Sequence, residues 1–165
     1  MTLKSEKNQT FFGVNERKLL GWREWVSLPE LGIELIKAKI DTGARTSSLH
    51  AFRIEEFSKH GKRYVRFGIH PFQRRIDIEI VCEALVKDQR QVTDSGGHRE
   101  LRYVIESEVR LGEMCWSVEI TLTNRDSMGF RMLLGRTALR KLYVIDPAAS
   151  YLESIASKPK RKPRK

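Results

Sequence analysis

Asp41-Thr42-Gly43-Ala44 ends an alternating apolar run, Ile33-Glu34-Leu35-Ile36-Lys37-Ala38-Lys39-Ile40, and brings side chains suited to chemistry rather than packing. Gly43 permits a tight backbone turn and offers an N–H to hold the aspartate, while the Thr42 hydroxyl can brace the loop. A carboxylate so placed points out of the sheet and can act as a general base toward water. The same residues also suit an ordinary turn. The reaction that such a turn suggests needs two carboxylates, yet the chain holds no second Asp-Thr-Gly and no internal repeat.

Other chemistries find little support. Cys82 and Cys115 are 33 residues apart, with no CxxC pair and no His at ligand spacing, so they read as reduced, partly buried thiols. His50, His60, His70 and His98 are scattered, no HExxH is present, and no GxxxxGK[ST] loop cradles a phosphate. No metal site and no cofactor are expected. A zinc-dependent hydrolase would need His and Cys residues brought together from distant strands.

The elements that must position Asp41 are mostly strands. Alternation and β-rich composition predict strands at Leu19–Val26, Ile33–Ile40, His50–Phe57, Arg63–Ile69, Arg75–Val86, Gln91–Thr93, Arg99–Arg110, Glu113–Thr123 and Arg131–Leu134. The pattern is clearest where Trp116, Val118, Ile120 and Leu122 alternate with Ser117, Glu119, Thr121 and Thr123, which predicts one face inward and one toward water. Turn-forming groups, such as Leu28-Pro29-Glu30-Leu31-Gly32 and Asp94-Ser95-Gly96-Gly97, separate the runs. One short helix is expected over Arg136–Leu142, with Leu139 and Leu142 facing the core.

A length of 165 residues with 40% hydrophobic side chains allows one main domain, placed at 16–155. Residues 1–15 read as a flexible leader without a signal-peptide core, and no run approaches the roughly 18 apolar residues of a membrane span. A cytoplasmic protein with no membrane partner is expected. The net charge is +10, and half of it lies in 151–165, where Lys158, Lys160, Arg161, Lys162, Arg164 and Lys165 stand against Glu153. Residues 156–165 read as a disordered basic tail. Residues 158–165 could make a weak, salt-sensitive contact with nucleic acid or a ribosome, or simply remain solvated.

Two further segments turn the Asp41 loop into half of a pattern. Met132-Leu133-Leu134-Gly135-Arg136-Thr137-Ala138-Leu139 is an apolar strand, a glycine and a helix start, and Val92 to Glu100 holds Gly96 and Gly97 at a hairpin tip. Together with Asp41-Thr42-Gly43-Ala44-Arg45-Thr46-Ser47-Ser48-Leu49 the chain resembles the retropepsins, the dimeric aspartic proteases of retroviruses. The fuller resemblance, from Leu20 to Leu152, is to a bacterial retropepsin-like family often called "ATP-dependent zinc protease". It rests on Lys39 to Ala51, Thr121-Leu122-Thr123-Asn124-Arg125, Met132 to Arg136, and Asp146-Pro147 before Ser150-Tyr151-Leu152.

That resemblance implies a mostly β, closed, barrel-like acid-protease fold with one short C-terminal helix, and an aspartic endopeptidase active as a homodimer. Asp41, Thr42 and Gly43 of each subunit would form the catalytic loop, with two aspartates sharing one proton and activating a water. Ala44, Arg45, Ser95, Gly96, Gly97 and His98 would bind substrate, and Arg136 would support the loop from below. The viral enzymes carry an acidic residue where Arg45 stands, so an acidic peptide is the expected substrate. Family members occur alongside ligases that add glutamates to protein tails, which by analogy points to glutamate-tailed proteins. The span from Gly43 to Gly96 is 53 residues, longer than in the viral enzymes, so the strands between Phe52 and Arg90 need a place of their own. Arg53, Lys62, Arg63, Arg66, Arg74 and Arg75 in that region read either as added substrate contacts or as solvated faces. The competing reading is a non-catalytic β module that docks on RNA or a ribosome through its basic surface and tail.

Overall fold

The computed structural model describes residues 16–94, 96–124 and 129–154. The expected leader at 1–15, Ser95, Arg125 and the basic tail at 156–165 lie outside the described residues. In chain order the elements are β1 (Lys18–Leu20), β2 (Arg23–Leu28), a 3-10 turn (Pro29–Leu31), β3 (Ile33–Ile40), β4 (Ser47–His50), β5 (Phe52–Lys59), β6 (Lys62–Ile69), β7 (Ile80–Leu85), β8 (Asp88–Thr93), β9 (Arg99–Leu111), β10 (Met114–Thr123), β11 (Met132–Leu134), α1 (Arg136–Leu139) and β12 (Tyr143–Ile145).

Strands β10, β4, β11, β3, β2 and β9 are hydrogen-bonded in that order, and β9 pairs back with β10, which closes a ring of strands. The β10–β4 and β11–β3 pairs are parallel, and the remaining pairs are antiparallel. Between β2 and β9 the closure rests on a single pair, Ser27 with Arg110, so the expected barrel is a ring rather than an evenly bonded cylinder. Its interior is filled by side chains removed from water, among them Val26, Ile36, Ala38, Leu49, Ile120 and Met132. Each buried aliphatic side chain of Val or Ile size contributes on the order of 2 kcal/mol.

One expectation about a face and one about a strand boundary need correction. Thr121 and Thr123, assigned to the water side of β10, are only 2% and 1% exposed. They do sit on the outer face, but the β8–β9 hairpin covers them: Thr123 donates to Glu100 at 3.0 Å and Arg102 donates to Thr121 at 3.4 Å. The strand expected from Arg75 starts only at Ile80, because its partner β6 ends at Ile69, which stands opposite Ile80, and leaves residues 75–79 without a β6 partner.

The long insertion forms its own three-stranded antiparallel sheet, β5-β6-β7. It shares the core through Val65, Phe67, Ile69 and Cys82. The Cys82 thiol donates to the Leu31 carbonyl at 3.3 Å, and burial pushes it up to about 12, which suits a packing thiol rather than a nucleophile. Arg63, Arg66, Arg53 and Arg75 are taken up by Glu56, Glu83, Glu79 and Asp77, so these cations serve local pairs.

Helix α1 is a single turn and stops at Leu139 instead of reaching Leu142. Lys141 turns left-handed (φ 69°), and the chain enters β12, which runs parallel to β1 with Lys18 opposite Tyr143. Beyond it, residues 149–154 run as a strap along the edge of β2 that β9 leaves open. Trp22 N–H donates to Ala149 O at 2.8 Å and Tyr151 N–H to Arg23 O at 3.0 Å. The fully buried Glu24 carboxylate accepts from Glu153 N–H at 2.8 Å and Ser154 Oγ at 3.0 Å, which holds the strap end in place. Among the described residues no helix is long and apolar enough to cross a membrane.

Candidate active site

Strand β3 delivers Asp41 to the rim of the ring, and β11 delivers Gly135 and Arg136 beside it, because the two strands are parallel and paired from Ala38–Met132 to Ile40–Leu134. Asp41 N–H donates to Leu134 O at 2.8 Å, which extends the ladder by one rung. The loop then turns: Gly43 N–H donates to Asp41 Oδ1 at 3.1 Å and Ala44 N–H to Asp41 O at 3.2 Å. A half-buried Asp41 is thereby fixed by its own backbone, while Thr42 and Gly43 stay exposed.

The following segment is pinned from below. Arg136 N–H donates to Ala44 O at 2.8 Å, Thr137 N–H to Arg45 O at 3.1 Å, and Thr137 Oγ1 to Arg45 O at 2.9 Å. Gly135 N–H donates to the buried Ser47 Oγ at 3.1 Å. The two backbones approach so closely that a Cβ on Gly135 would lie 2.7 Å from the Thr46 carbonyl carbon and 2.9 Å from Ala44 O. Only glycine fits there. The Arg136 guanidinium reaches back to donate to Thr42 O at 3.0 Å and Gly43 O at 3.3 Å.

Asp41 opens on a cleft of about 1320 Å³. One wall is the Asp41 loop with Ala44, Arg45 and Thr137; the other is the β8–β9 hairpin and the outer face of β10. Asp94, Gly97 and His98 turn the chain between β8 and β9. Asp94 N–H donates to His98 O at 2.9 Å, Asp94 Oδ1 accepts from His98 N–H at 2.8 Å, and Gly97 sits left-handed (φ 80°), where a side chain would strain the turn. Asp94 reaches the cleft wall; Gly96, Gly97 and His98 lie beyond it at the exposed tip, and Ser95 lies outside the described residues.

Sequence reasoning missed the charged residues of the second wall. Lys87 bridges Glu106 at 2.7 Å and Glu119 at 3.0 Å, and Arg90 meets Glu119 at 2.8 Å. Arg90 and then Lys87 hold the Glu119 carboxyl below its ordinary value, while Glu106 and then Glu119 raise the Lys87 ammonium. Arg102, 10% exposed at its side chain, is paired with Glu100 at 2.9 Å. The only sequence signal was charge on alternate positions of both hairpin strands. On the loop wall, Arg45 and Arg140 also line the cleft, and among the described residues neither has a carboxylate partner. No group of three His, Cys, Asp or Glu side chains among the described residues is arranged to hold a metal ion.

A family model for RimB-like proteins, described as retropepsin-like aspartic endopeptidase RimB, matches residues 19–155. A protein named probable alpha-L-glutamate ligase from Shewanella pealeana is 48% identical over 133 residues, which are 81% of this chain and 29% of that protein. One of the same name from Desulfotalea psychrophila is 48% identical over 134 residues, 80% of this chain and 28% of that protein. The chain thus spans less than a third of the length of these curated relatives. Among solved structures, Lpg0085 of Legionella pneumophila, a protein of unknown function, is 27% identical with a TM-score of 0.70, covering 82% of this chain and 98% of that one.

Proposed function

As a member of the RimB-like family of retropepsin-like aspartic endopeptidases, the chain is, we propose, a peptidase completed by a second copy of itself, with Asp41 of each subunit at a two-fold axis. The observation that supports this most is a single carboxylate on a pinned, exposed turn facing a large cleft. One carboxylate cannot both take a proton from water and give one to the scissile carbonyl. Two at close range share a proton, because like charges so near cannot both ionise cheaply. The ionised partner then acts as base on the water and the protonated one polarises the carbonyl. In an isologous dimer the exposed Thr42 of each loop meets the other across the axis and braces the pair.

The substrate of this reading is an acidic peptide or a glutamate-tailed protein. Arg45 and Arg140 are cations of the cleft that have no carboxylate partner among the described residues, so a substrate carboxylate would complete them. The second wall differs, since its cations Lys87 and Arg90 are already matched by Glu106 and Glu119. The names of the longer relatives, which refer to glutamate ligation, fit a hydrolase that acts on glutamate additions.

The test is Asp41→Asn, assayed on a glutamate-tailed peptide. Hydrolysis falls by more than about 1000-fold while the melting temperature and the sedimentation coefficient of the dimer stay unchanged. Turnover that survives in this variant, or a wild-type protein that is active as a monomer, excludes the shared-aspartate mechanism.

A further inference from the structure

The outer face of the β2–β3 ribbon holds cations and rings that the peptidase reading leaves unused. In the antiparallel register Arg23 stands directly opposite Lys39, and Trp25 opposite Lys37, so these four side chains share one face, while Glu24 and Ala38 between them point into the core. Like charges placed opposite each other are destabilising, and no carboxylate of this four-residue block offsets the Arg23–Lys39 pair. Lys39 is exposed and among the described residues has no partner.

Rings interleave with these cations. The Arg23 guanidinium lies 4.7 Å from the Trp22 ring centroid and 5.0 Å from that of Tyr151, and the Lys37 ammonium lies 5.0 Å from that of Trp25. Trp25 and Lys37 continue into a groove of about 390 Å³ whose other lining includes Phe72, Arg74 and Arg75. Arg74 is exposed, has no partner among the described residues, and is held left-handed at the groove edge. Among the described residues no acidic side chain lines this groove. The strap ends here as well: Trp25 N–H donates to Ser154 Oγ at 3.0 Å. The first of the six closing Lys and Arg residues, Lys158, follows within about 14 Å of chain.

We infer that this face binds single-stranded nucleic acid. Lys37, Lys39 and Arg74 would meet successive phosphates, and half-exposed Trp25 and Phe72 would take base faces. A row of cations alone would suit any polyanion. Rings placed between the cations favour a ligand that alternates charge with flat apolar surface, which an oligonucleotide does and an oligoglutamate does not. The site is separate from the Asp41 cleft, since none of these residues lines that cleft.

The experiment measures binding of the full chain to a fluorescein-labelled oligouridylate of about 12 nucleotides by anisotropy across a salt series. In the triple variant Lys37→Gln, Lys39→Gln, Arg74→Gln, affinity falls at least tenfold and the slope of log affinity against log salt shrinks by about 2. In Trp25→Leu, affinity falls about tenfold with the slope unchanged. Circular dichroism melts establish that both variants fold, and the exposed triple variant alone decides the matter should Trp25→Leu not fold. An unchanged affinity and slope in the triple variant overturns the inference. So does displacement of the oligouridylate by oligoglutamate of equal charge as effectively as by unlabelled oligouridylate, which would make the face an acidic-protein site. Peptide hydrolysis stays at the wild-type rate in the triple variant, so failure here is distinguishable from failure of the peptidase reading.

Discussion

The two walls of the Asp41 cleft are built by opposite means. The loop wall is held mainly by backbone groups and neutral hydroxyls: Leu134 O, Ala44 O, Arg45 O and Ser47 Oγ fix it, with the Asp41 carboxylate and the Arg136 guanidinium as charged braces. The hairpin wall has its own backbone ladders, β8–β9 and β9–β10, but the side chains it turns to the cleft are tied by partly exposed ion pairs among Lys87, Arg90, Glu106 and Glu119. Close-packed backbone contacts tolerate little displacement, whereas surface ion pairs contribute little individually and weaken with salt. A rigid floor for the aspartate thus faces a wall whose side-chain lining, rather than its backbone, depends on the ionic conditions.

The sharpest way to break this contrast is Gly135→Ala. Its Cβ would strike backbone atoms of Thr46 and Ala44, which cannot swing aside, so stability falls by about 3 kcal/mol in denaturant melts and hydrolysis is lost. Arg136→Ala removes the bonds to Thr42 and Gly43 carbonyls but leaves the packing, so kcat falls about 100-fold with the melting temperature nearly unchanged. An equal loss of both would place Arg136 in the fold instead of the loop. Arg45→Ala raises KM for an acidic peptide about tenfold and leaves a neutral one alone; Arg90→Ala, whose charge is already matched, changes KM far less.

The smallest effect is expected on the hairpin wall. Glu119→Gln costs under about 1 kcal/mol, and the difference vanishes in molar salt. Its pH dependence has a defined sign. Arg90 and Lys87 lower the folded-state value of Glu119, so its contribution is present above the ordinary value of 4.5 and is lost as pH falls through the lowered one. Melts of wild type and variant therefore converge in acid and separate above about pH 5. A gap that persists below that range removes the ion pairs as the cause.

The turn of the loop wall and the strands of the hairpin wall were legible in the sequence; the ion network on the hairpin wall was not. Gly135 and Arg136 are marked by the resemblance to the retropepsins, whereas Asp41 and Gly43 announce themselves because a tight turn restricts the residue types allowed. Strand alternation located most of β3, β6, β9 and β10 for the same local reason. The ion network joins Lys87, Arg90, Glu106 and Glu119 across three segments, and charges on separate strands carry no mark of who faces whom. The overlong helix prediction failed where tertiary pairing won: Tyr143–Ile145 gains a parallel partner in β1, which outweighs one more helical turn. Buried Glu24 gave no warning, since its partners Glu153 and Ser154 come from the far end of the described chain.

The strap also sets an order of events during synthesis. Strand β2 is made early, yet the groups that complete its open edge and satisfy Glu24 are 127 to 130 positions later in the chain. Until they arrive, β2 presents bare backbone and a carboxylate that cannot be buried alone at low cost. The ring therefore reaches its finished state only when its last residues are made, and a chain shortened before Ser154 is left with an open seam where other chains can add.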